Sequence, residues 1–426
     1  MKVLVIGSGG REHALVWRLA KSASVTKVYA SPGNAGIALE SECLPCGAGT
    51  PADYLALAET LQVDLTVVGP EAPLVAGIVD IFEAAGKPIV GPTAAAAQIE
   101  GSKAFSKHVM AEAGIPTARF VEATNRQAAI NALDQFPLPV VIKADGLAAG
   151  KGVVIATTRA EAVETIEQFL GGALGEAGKK LVLEEFLVGE EVSYIVLTDG
   201  TNVIPTEPSQ DHKTIFDGDK GPNTGGMGAY CDSRILTDAE RKTVLDRVIY
   251  PTLATMRHRG TPFAGFLYAG LMMTADGPKT LEFNCRFGDP ETQPILYRIE
   301  GDFGEVLLAL AQKRLNTVAV TWNPNPSVCL VLAAHGYPAK VRTGDPITGI
   351  SEAEANGAKV FHAGTKANGT EVVTAGGRVL GVTTSGSTLA EAIDSVYIAA
   401  NAIRFDGMQL RHDIGKKGLK RWALNR

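Results

Sequence analysis

Four short β-rich runs in the first hundred residues, "KVLVIG", "KVYASP", "LTVVGP" and "KPIVGP", each stop at glycine or proline. Helix-like stretches such as "HALVWRLAKS" and "VAGIVDIFEAAG" lie between them. Strands that alternate with helices predict a parallel sheet, because each return to the next strand is made by a crossover. Ligands of such sheets sit beyond the C-terminal strand ends. Gly69-Pro70, Gly91-Pro92 and "SPGNAG" therefore fall on the functional rim.

The pattern changes near residue 101. "GSKAFSKHVMAEAGIP" reads as a helix that ends at Gly114 and Pro116. "PLPVVIKADGLAAGKGVVIAT" gives two strands joined by a glycine-rich loop, and "KLVLEEFLVGEEVSYIVLTDG" reads as a second strand pair turning at Gly189. "AGFLYAGLMMTADGPKTLEFNCR" is a hairpin around Asp276-Gly277. The middle of the chain is thus expected to be mostly antiparallel sheet with flanking helices. The proline-containing "TVAVTWNPNPS" marks a boundary near residue 320, and the tail adds strand patterns and one helix, "TLAEAIDSVYIAANAI". At about 150 residues per domain, 426 residues suggest three domains, each able to bury its own core.

Composition removes several function classes. The net charge is −6 and no Lys/Arg block occurs, so a nucleic-acid partner is not expected. No apolar run approaches the ~18 residues of a membrane span. "MKVLVIGSGG" runs directly into a strand, which leaves no room for a signal peptide. Five cysteines, an odd number, fit reduced thiols in the cytoplasm. Cys43 and Cys46 form a C-x-x-C, but no second pair follows at zinc spacing, so a structural role is preferred.

Two glycine motifs fail their first interpretation. "VLVIGSGGREH" lacks the third glycine of a dinucleotide fingerprint, where Glu12 stands, and the second strand ends in "SPGN" without a ribose-binding acid. The loop still offers N–H groups at a helix N-terminus to a polar or anionic ligand. "DGLAAGKGVV" is not a Walker A loop, because Asp145 takes the first glycine position and Gly152 follows Lys151. It reads instead as a glycine lid between strands, able to close over phosphates. Lys143 lies within an apolar strand, where a lysine is costly unless it meets an anion. The plainer alternative is an edge lysine beside an ordinary hairpin. Acids at 184, 185, 190 and 191 are equally well explained as solvated turn charges. "SQDHKTIFDGDKGPNTGGMGAY" is read as a long loop with five glycines between 218 and 228, a lid or binding segment.

"LEFNCRFGDPETQ", residues 281–293, carries the most chemistry. Strand alternation puts Leu281, Phe283 and Cys285 on one face and Glu282, Asn284 and Arg286 on the other. Glu282 and Asn284 are hard oxygen ligands suited to a Mg²⁺ that also holds phosphate oxygens. Arg286 is a fork for a carboxylate or phosphate. The bland alternative is a surface Glu–Arg pair, worth at most about 1 kcal/mol. A phosphate lid and a lysine strand in the same chain favour an ATP–metal site.

With these residues in view, the chain resembles the glycinamide ribonucleotide synthetase (phosphoribosylamine–glycine ligase) family of the ATP-grasp superfamily. The resemblance is carried in order by "VLVIGSGGREHAL", "PGNAG", "VGPEAPLV", "GSKAF", "IKADGLAAGKGV", "EEFLVGEE", "SQDHK", "GPNTGGMGAY", "GFLYAGLM", "EFNCRFGDPETQ", "GYP" and "FHAGT". It implies an N-terminal parallel α/β (pre-ATP-grasp) domain over 1–103 and a central ATP-grasp domain over 104–320, with a lid subdomain at about 121–192. A C-terminal mixed α+β domain follows over 327–426.

The resemblance also implies roles. Lys103 and Lys143 would contact ATP phosphates under the lid formed by Gly146, Ala148, Ala149, Gly150, Lys151 and Gly152. Glu184, Glu185, Phe186 and Leu187 would meet adenine through their backbone, and Glu191 would hold the ribose. Glu282 and Asn284 would bind Mg²⁺ or Mn²⁺, with Arg286 beside the reacting acyl group. Asp211, Lys213, Asn223, Gly225, Gly226 and Met227 would line the reaction centre, and no role falls on 214–219. Glu71 and Asp289 would receive the ribosylamine; Gly9, Gly10, Arg11 and Asn34 would line the same pocket, with Lys366 and Arg378 at its phosphate. The implied substrates are ATP, glycine and 5-phosphoribosylamine, joined through a glycyl phosphate. A cytoplasmic monomer in transient contact with neighbouring purine-pathway enzymes is expected, with no nucleic acid or membrane partner. A related ligase for another acid or amine is the nearest competitor; a nicotinamide oxidoreductase and a non-catalytic nucleotide sensor are more distant ones.

Overall fold

A computed structural model describes residues 1–148 and 152–424. The expected phosphate contacts at Ala149, Gly150 and Lys151 lie outside the described residues.

The N-terminal strands form one parallel sheet in the order Glu42–Cys43, Lys27–Pro32, Lys2–Gly7, Leu65–Val68, Ile89–Val90. Val3, Leu4, Val5 and Ile6 are fully buried in the central strand, as four consecutive apolar residues between two covered faces require. The helix read in "VAGIVDIFEAAG" starts only at Ile78, because Gly77 adopts a left-handed φ of 85° and separates it from the short Glu71–Val75 helix. Glu71 is thereby brought to a helix N-terminus on the rim.

Two further sheets follow. The smaller is antiparallel, in the order Phe120–Ala123, Leu181–Glu185, Val140–Ala144, Val153–Ala156. It has its own core, which includes Ile142, Phe169 and Leu183. The larger has nine strands and runs from Gly277–Asn284 through Gly265–Thr274 and Glu190–Thr198 to Gly228–Cys231, then on through Ser327–Ala333 and Arg378–Ser385 to Lys359–His362. It therefore crosses the boundary near residue 320: Gly228–Cys231 pairs with Ser327–Ala333. One hydrophobic cluster extends from Leu4 through Leu267 to Leu330, so the tail does not bury a core of its own.

Two local expectations are corrected. Gly189 does not turn a hairpin, since Leu181–Glu185 belongs to the small sheet and Glu190–Thr198 to the large one. Residues 186–189 are the crossing between them, and a Cβ on Gly189 would collide with the Met273 carbonyl. The long glycine-rich loop contains strands Ser209–Asp211 and Gly228–Cys231 of the large sheet, and between them a hairpin, Thr214–Phe216 with Lys220–Asn223, that pairs only with itself. Among the described residues no helix is long and apolar enough to cross a membrane.

Candidate active site

A cleft of about 1060 Å³ is lined by residues of all these parts, including Arg11, Glu71, Lys103, Lys143, Glu282 and Arg378. The Gly277–Asn284 strand forms one wall. Its register shifts by one residue between Gly270↔Glu282 and Leu271↔Thr280, which leaves Leu281 as a bulge. Leu281 therefore leaves the core face shared by Phe283 and Cys285 and packs with Leu187 and Met272, contrary to simple alternation. Its carbonyl accepts a hydrogen bond from Lys143 Nζ at 3.2 Å. Glu282 and Asn284 face the cleft.

Arg286 follows the strand and is gripped on two sides. Nε lies 3.2 Å from Glu71 Oε2 and Nη2 lies 2.6 Å from Glu100 Oε1. Burial alone would weaken the guanidinium's hold on its proton, but the Glu100 and Glu71 carboxylates outweigh it and raise the pKa. Burial pushes the Glu100 carboxyl up despite Arg286, whereas Glu71 is held low because Arg286 and Arg11 overcome its burial. Glu100 was not singled out in the sequence; no local pattern connects it to residue 286.

Lys143 is not an edge lysine. It is 7% exposed and its Nζ lies 3.0 Å from Glu184 Oε1, while Lys107 Nζ lies 3.1 Å from Glu184 Oε2. Burial lowers the Lys107 pKa to about 8 against the pull of Glu184. Lys107 was missed, although Lys103 and Lys107 share a helix face at i,i+4. Lys103 makes no ion pair within 4 Å among the described residues; burial depresses its pKa, opposed chiefly by Glu282. Asp145, just after the Val140–Ala144 strand, accepts from Ala104 N–H (2.7 Å) and Ser102 Oγ (2.9 Å), which ties that strand end to the start of the Lys103 helix. Ala148 and Gly152 line the cleft; Gly146 instead packs against Ala177. Glu185, Phe186 and Leu187 line it as well, and Glu191 forms an ion pair of 2.9 Å with Lys213.

The residues expected at the reaction centre separate into two groups. Asp211, Lys213, Asn223 and Gly225 line the cleft. Burial and the neighbouring Glu291 raise the Asp211 carboxyl well above its usual range, more than Lys213 and Arg378 lower it. Gly226, at φ 111°, is pressed against Pro290 and Asp211, where no side chain would fit. Met227 is fully buried with Ile215 and Ala333, so its side chain faces the core rather than the cleft. Glu291, 4% exposed, was given no role from sequence; its Oε1 accepts from Ser193 Oγ and Tyr268 OH, each at 3.0 Å.

At the other end of the cleft Arg378 Nη2 lies 2.9 Å from Asp289 Oδ2, and its Nη1 donates to the Asp289 and Gly225 carbonyls. Burial would raise the Asp289 carboxyl, but Arg378 and Arg11 hold it low. Gly9 and Gly10 pack against the Asp289 side chain and Gln293. The Asn34 amide donates to the Ser8 and His362 carbonyls at 2.8 Å, so it ties the N-terminal rim to the tail strands and does not line the cleft. Lys366 is exposed on Thr365–Asn368 and is not brought to the cleft with Arg378. Glu12 explains the failed dinucleotide fingerprint. Glu12 is 2% exposed and its side chain fills the crevice at the strand ends, where a Cβ on Gly7 or Gly69 would collide with it.

Models of the phosphoribosylglycinamide synthetase N domain, ATP-grasp (A) domain and C domain match residues 1–100, 101–292 and 327–417. The chain belongs to the phosphoribosylglycinamide synthetase family. It is 53% identical over 426 residues to a phosphoribosylamine–glycine ligase of Yersinia pestis, covering 99% of this chain and 100% of that one. It is 50% identical over 428 residues to the enzyme of that name from Pseudomonas aeruginosa, covering 99% of each. Among solved structures, the Thermotoga maritima phosphoribosylamine–glycine ligase is similar, with a TM-score of 0.83 and 33% identity over 97% of this chain and all of that one. A biotin carboxylase domain from Hydrogenobacter thermophilus, crystallised with MgADP and bicarbonate, shares the fold at a TM-score of 0.72 and 19% identity, covering 96% of this chain and 91% of that one.

The cleft's own charges fit a nucleotide with a divalent cation. Burial would raise the Glu282 carboxyl, but Lys213, Lys143, Lys103 and Arg286 together hold it low and ionised. Four cations around one carboxylate, one of them unpaired among the described residues, leave room for anionic charge. Among the described residues no three His, Cys, Asp or Glu side chains converge as a metal cage. Glu282 with Asn284 is the kind of partial oxygen set that suits a cation sharing its remaining positions with phosphate oxygens and water.

Proposed function

We propose that this chain joins glycine to 5-phosphoribosylamine at the expense of ATP, giving glycinamide ribonucleotide, ADP and phosphate in purine biosynthesis. Family membership and about half identity over the whole chain support the reading. The observation that carries it is the meeting of Glu282, Asn284 and Arg286 with Lys103 and Lys143 in one cleft.

Glycine's carboxylate oxygen attacks the γ-phosphorus of ATP, and ADP leaves. The ribosylamine nitrogen then attacks the acyl carbon, loses a proton, and phosphate departs. The first obstacle is charge: two like unit charges at 4 Å repel by about 4 kcal/mol at an effective dielectric of 20. Arg286, held in place by Glu71 and Glu100, offsets the carboxylate's charge, and Lys103 and Lys143 hold the phosphates. Glu282 and Asn284 would hold a Mg²⁺ or Mn²⁺ ion, which would supply further neutralisation of the phosphate oxygens. Backbone groups of 184–187 receive adenine and Glu191 the ribose. Arg11, Asp289 and Glu71 hold the ribosylamine so that its nitrogen meets the acyl group. The glycine-rich segment between Val140–Ala144 and Val153–Ala156, expected as a lid, would exclude water from the acyl phosphate.

The same reading takes 1–103, 104–320 and 327–426 as the three working units of a cytoplasmic monomer. The test incubates the protein with ATP and Mg²⁺, adding glycine and freshly made phosphoribosylamine separately and together. ADP, phosphate and amide should form in equal amounts only with both. Equal turnover with a different acid or amine would assign another ligase activity.

A further inference from the structure

The hairpin Thr214–Phe216/Lys220–Asn223 received no role, yet Thr214, Asp219 and Asn223 form part of the cleft wall. Two strands paired only with each other are marginal in water. Ile215 is the one buried side chain of this hairpin. Something else holds it.

That holder is Arg411, in the C-terminal segment. Its side chain has no exposed surface and all five N–H donors are used. Nε donates to Asp413 Oδ1 (2.7 Å) and Nη2 to Asp413 Oδ2 (2.7 Å). Nη1 donates to the Thr214 carbonyl (3.1 Å) and Oγ1 (3.0 Å), and Nη2 also to Asp219 Oδ1 (3.1 Å). The surrounding chain repeats the connection. Gly218 N–H donates to Asp413 Oδ2 (2.9 Å), His412 N–H to Asp217 Oδ1 (2.7 Å), and Lys417 Nζ pairs with Asp219 Oδ2 (2.6 Å). A buried guanidinium is retained only where such a set is complete, so the hairpin and the tail segment are placed as one unit.

The other end of the hairpin meets the chemistry. Thr214 follows Lys213, whose carbonyl accepts from Thr224 N–H (2.7 Å) and Oγ1 (2.8 Å) and whose Nζ reaches Glu191. Gly225 is fixed from the tail domain as well: its N–H donates to Tyr337 OH at 2.9 Å and its carbonyl accepts from Arg378. We infer that Arg411 is a positioning residue for the ligation reaction, acting through the hairpin to set Lys213 and the 223–225 backbone and to close that wall of the cleft against water. The inference rests on the acyl phosphate reading given above.

The test compares Arg411→Met and Arg411→Lys with wild type. Phosphate released per amide formed is measured, together with hydrogen exchange of the 214–223 amides in the substrate-free protein. Wild type should give a ratio of one. Arg411→Met should give about two or more, because an open wall admits water to the acyl phosphate. Its amide-forming kcat should fall by about ten- to a hundredfold while KM for ATP stays within about twofold. Arg411→Lys should lie between. Exchange at 214–223 should be at least about tenfold faster in Arg411→Met. A folded Arg411→Met with a ratio of one overturns the inference, whatever its exchange. If that variant does not fold, Asp219→Asn at the exposed hairpin tip, which weakens the contacts to Arg411 and Lys417, must shift ratio and exchange in the same direction or the inference fails. Should wild type itself form no amide, the ligase reading falls, and the exchange comparison alone decides whether Arg411 orders the hairpin.

Discussion

Arg286 Nη2 stands 2.6 Å from Glu100 Oε1, an ion pair between the segment that follows the cleft strand and the Ala94–Gly101 helix. The pair orients the guanidinium, and each partner makes the other tolerable in the interior. Arg286→Met should destabilise the protein by about 3–5 kcal/mol, because Glu100 would stay buried without its cation. Adding Glu100→Gln should recover much of that loss in urea unfolding but none of the activity. Arg286→Lys keeps the charge and cannot span both Glu71 and Glu100, so glycine-dependent turnover should fall at least about tenfold with ATP affinity near normal. Unchanged kinetics for both substrates would place the reacting carboxylate elsewhere.

Glu282→Ala should lower turnover by at least about a hundredfold while folding normally, and Asn284→Ala should lower it less. Titration with Mg²⁺ at fixed ATP separates weaker metal binding from misfolding. Near-normal turnover of folded Glu282→Ala at limiting Mg²⁺ would show that the metal is held by other residues.

Arg378 holds Asp289 and Gly225, so its loss should be felt at the end of the cleft proposed to take the ribosylamine. Charged hydrogen bonds contribute about 1.5–3 kcal/mol, which predicts a roughly ten- to hundredfold lower kcat/KM for phosphoribosylamine in Arg378→Ala. Apparent affinities for ATP and glycine should change little. Wild-type phosphoribosylamine kinetics in the folded variant would remove Arg378 from that end.

His212 has no exposed surface, and burial, helped by Lys417 and Arg411, lowers its pKa from 6.5 to about 4. The unfolded chain therefore takes up this proton first as the pH falls. Stability is unaffected by His212 well above pH 6.5, declines between 6.5 and 4, and falls no further on its account below 4. Between pH 7 and 5 wild type should lose about 2 kcal/mol more than His212→Asn in urea unfolding. Parallel pH profiles for the two proteins would mean that His212 is hydrated or already charged in the fold.

What could be read from the sequence was what local patterns encode. Alternating runs gave the parallel N-terminal sheet, and Asp276-Gly277 gave the hairpin that carries Glu282 and Asn284. The Lys103 helix, Lys103–Glu112, was legible as a helical run stopped at Gly114 and Pro116. Features set by distant partners were not. The Leu281 bulge depends on the register against Gly270, and the shared carboxylate of Lys107 and Lys143 comes from a strand about forty residues beyond Lys143. Gly189 looked like a turn because glycine also serves where backbones press together, here against Met273. Arg411 carried no signal, since an arginine in a polar tail is ordinarily solvated.

The central claim is that glycine's carboxylate is phosphorylated before the amide forms, and isotope transfer tests it most directly. Glycine labelled with ¹⁸O in both carboxylate oxygens is turned over with ATP, Mg²⁺ and phosphoribosylamine, and the released phosphate is analysed by mass. Attack of the carboxylate on the γ-phosphorus followed by loss of phosphate from the acyl carbon leaves one labelled oxygen in each phosphate. That is the result the cleft of Glu282, Asn284, Arg286 and the two lysines predicts. Phosphate without label, formed alongside amide, would contradict it.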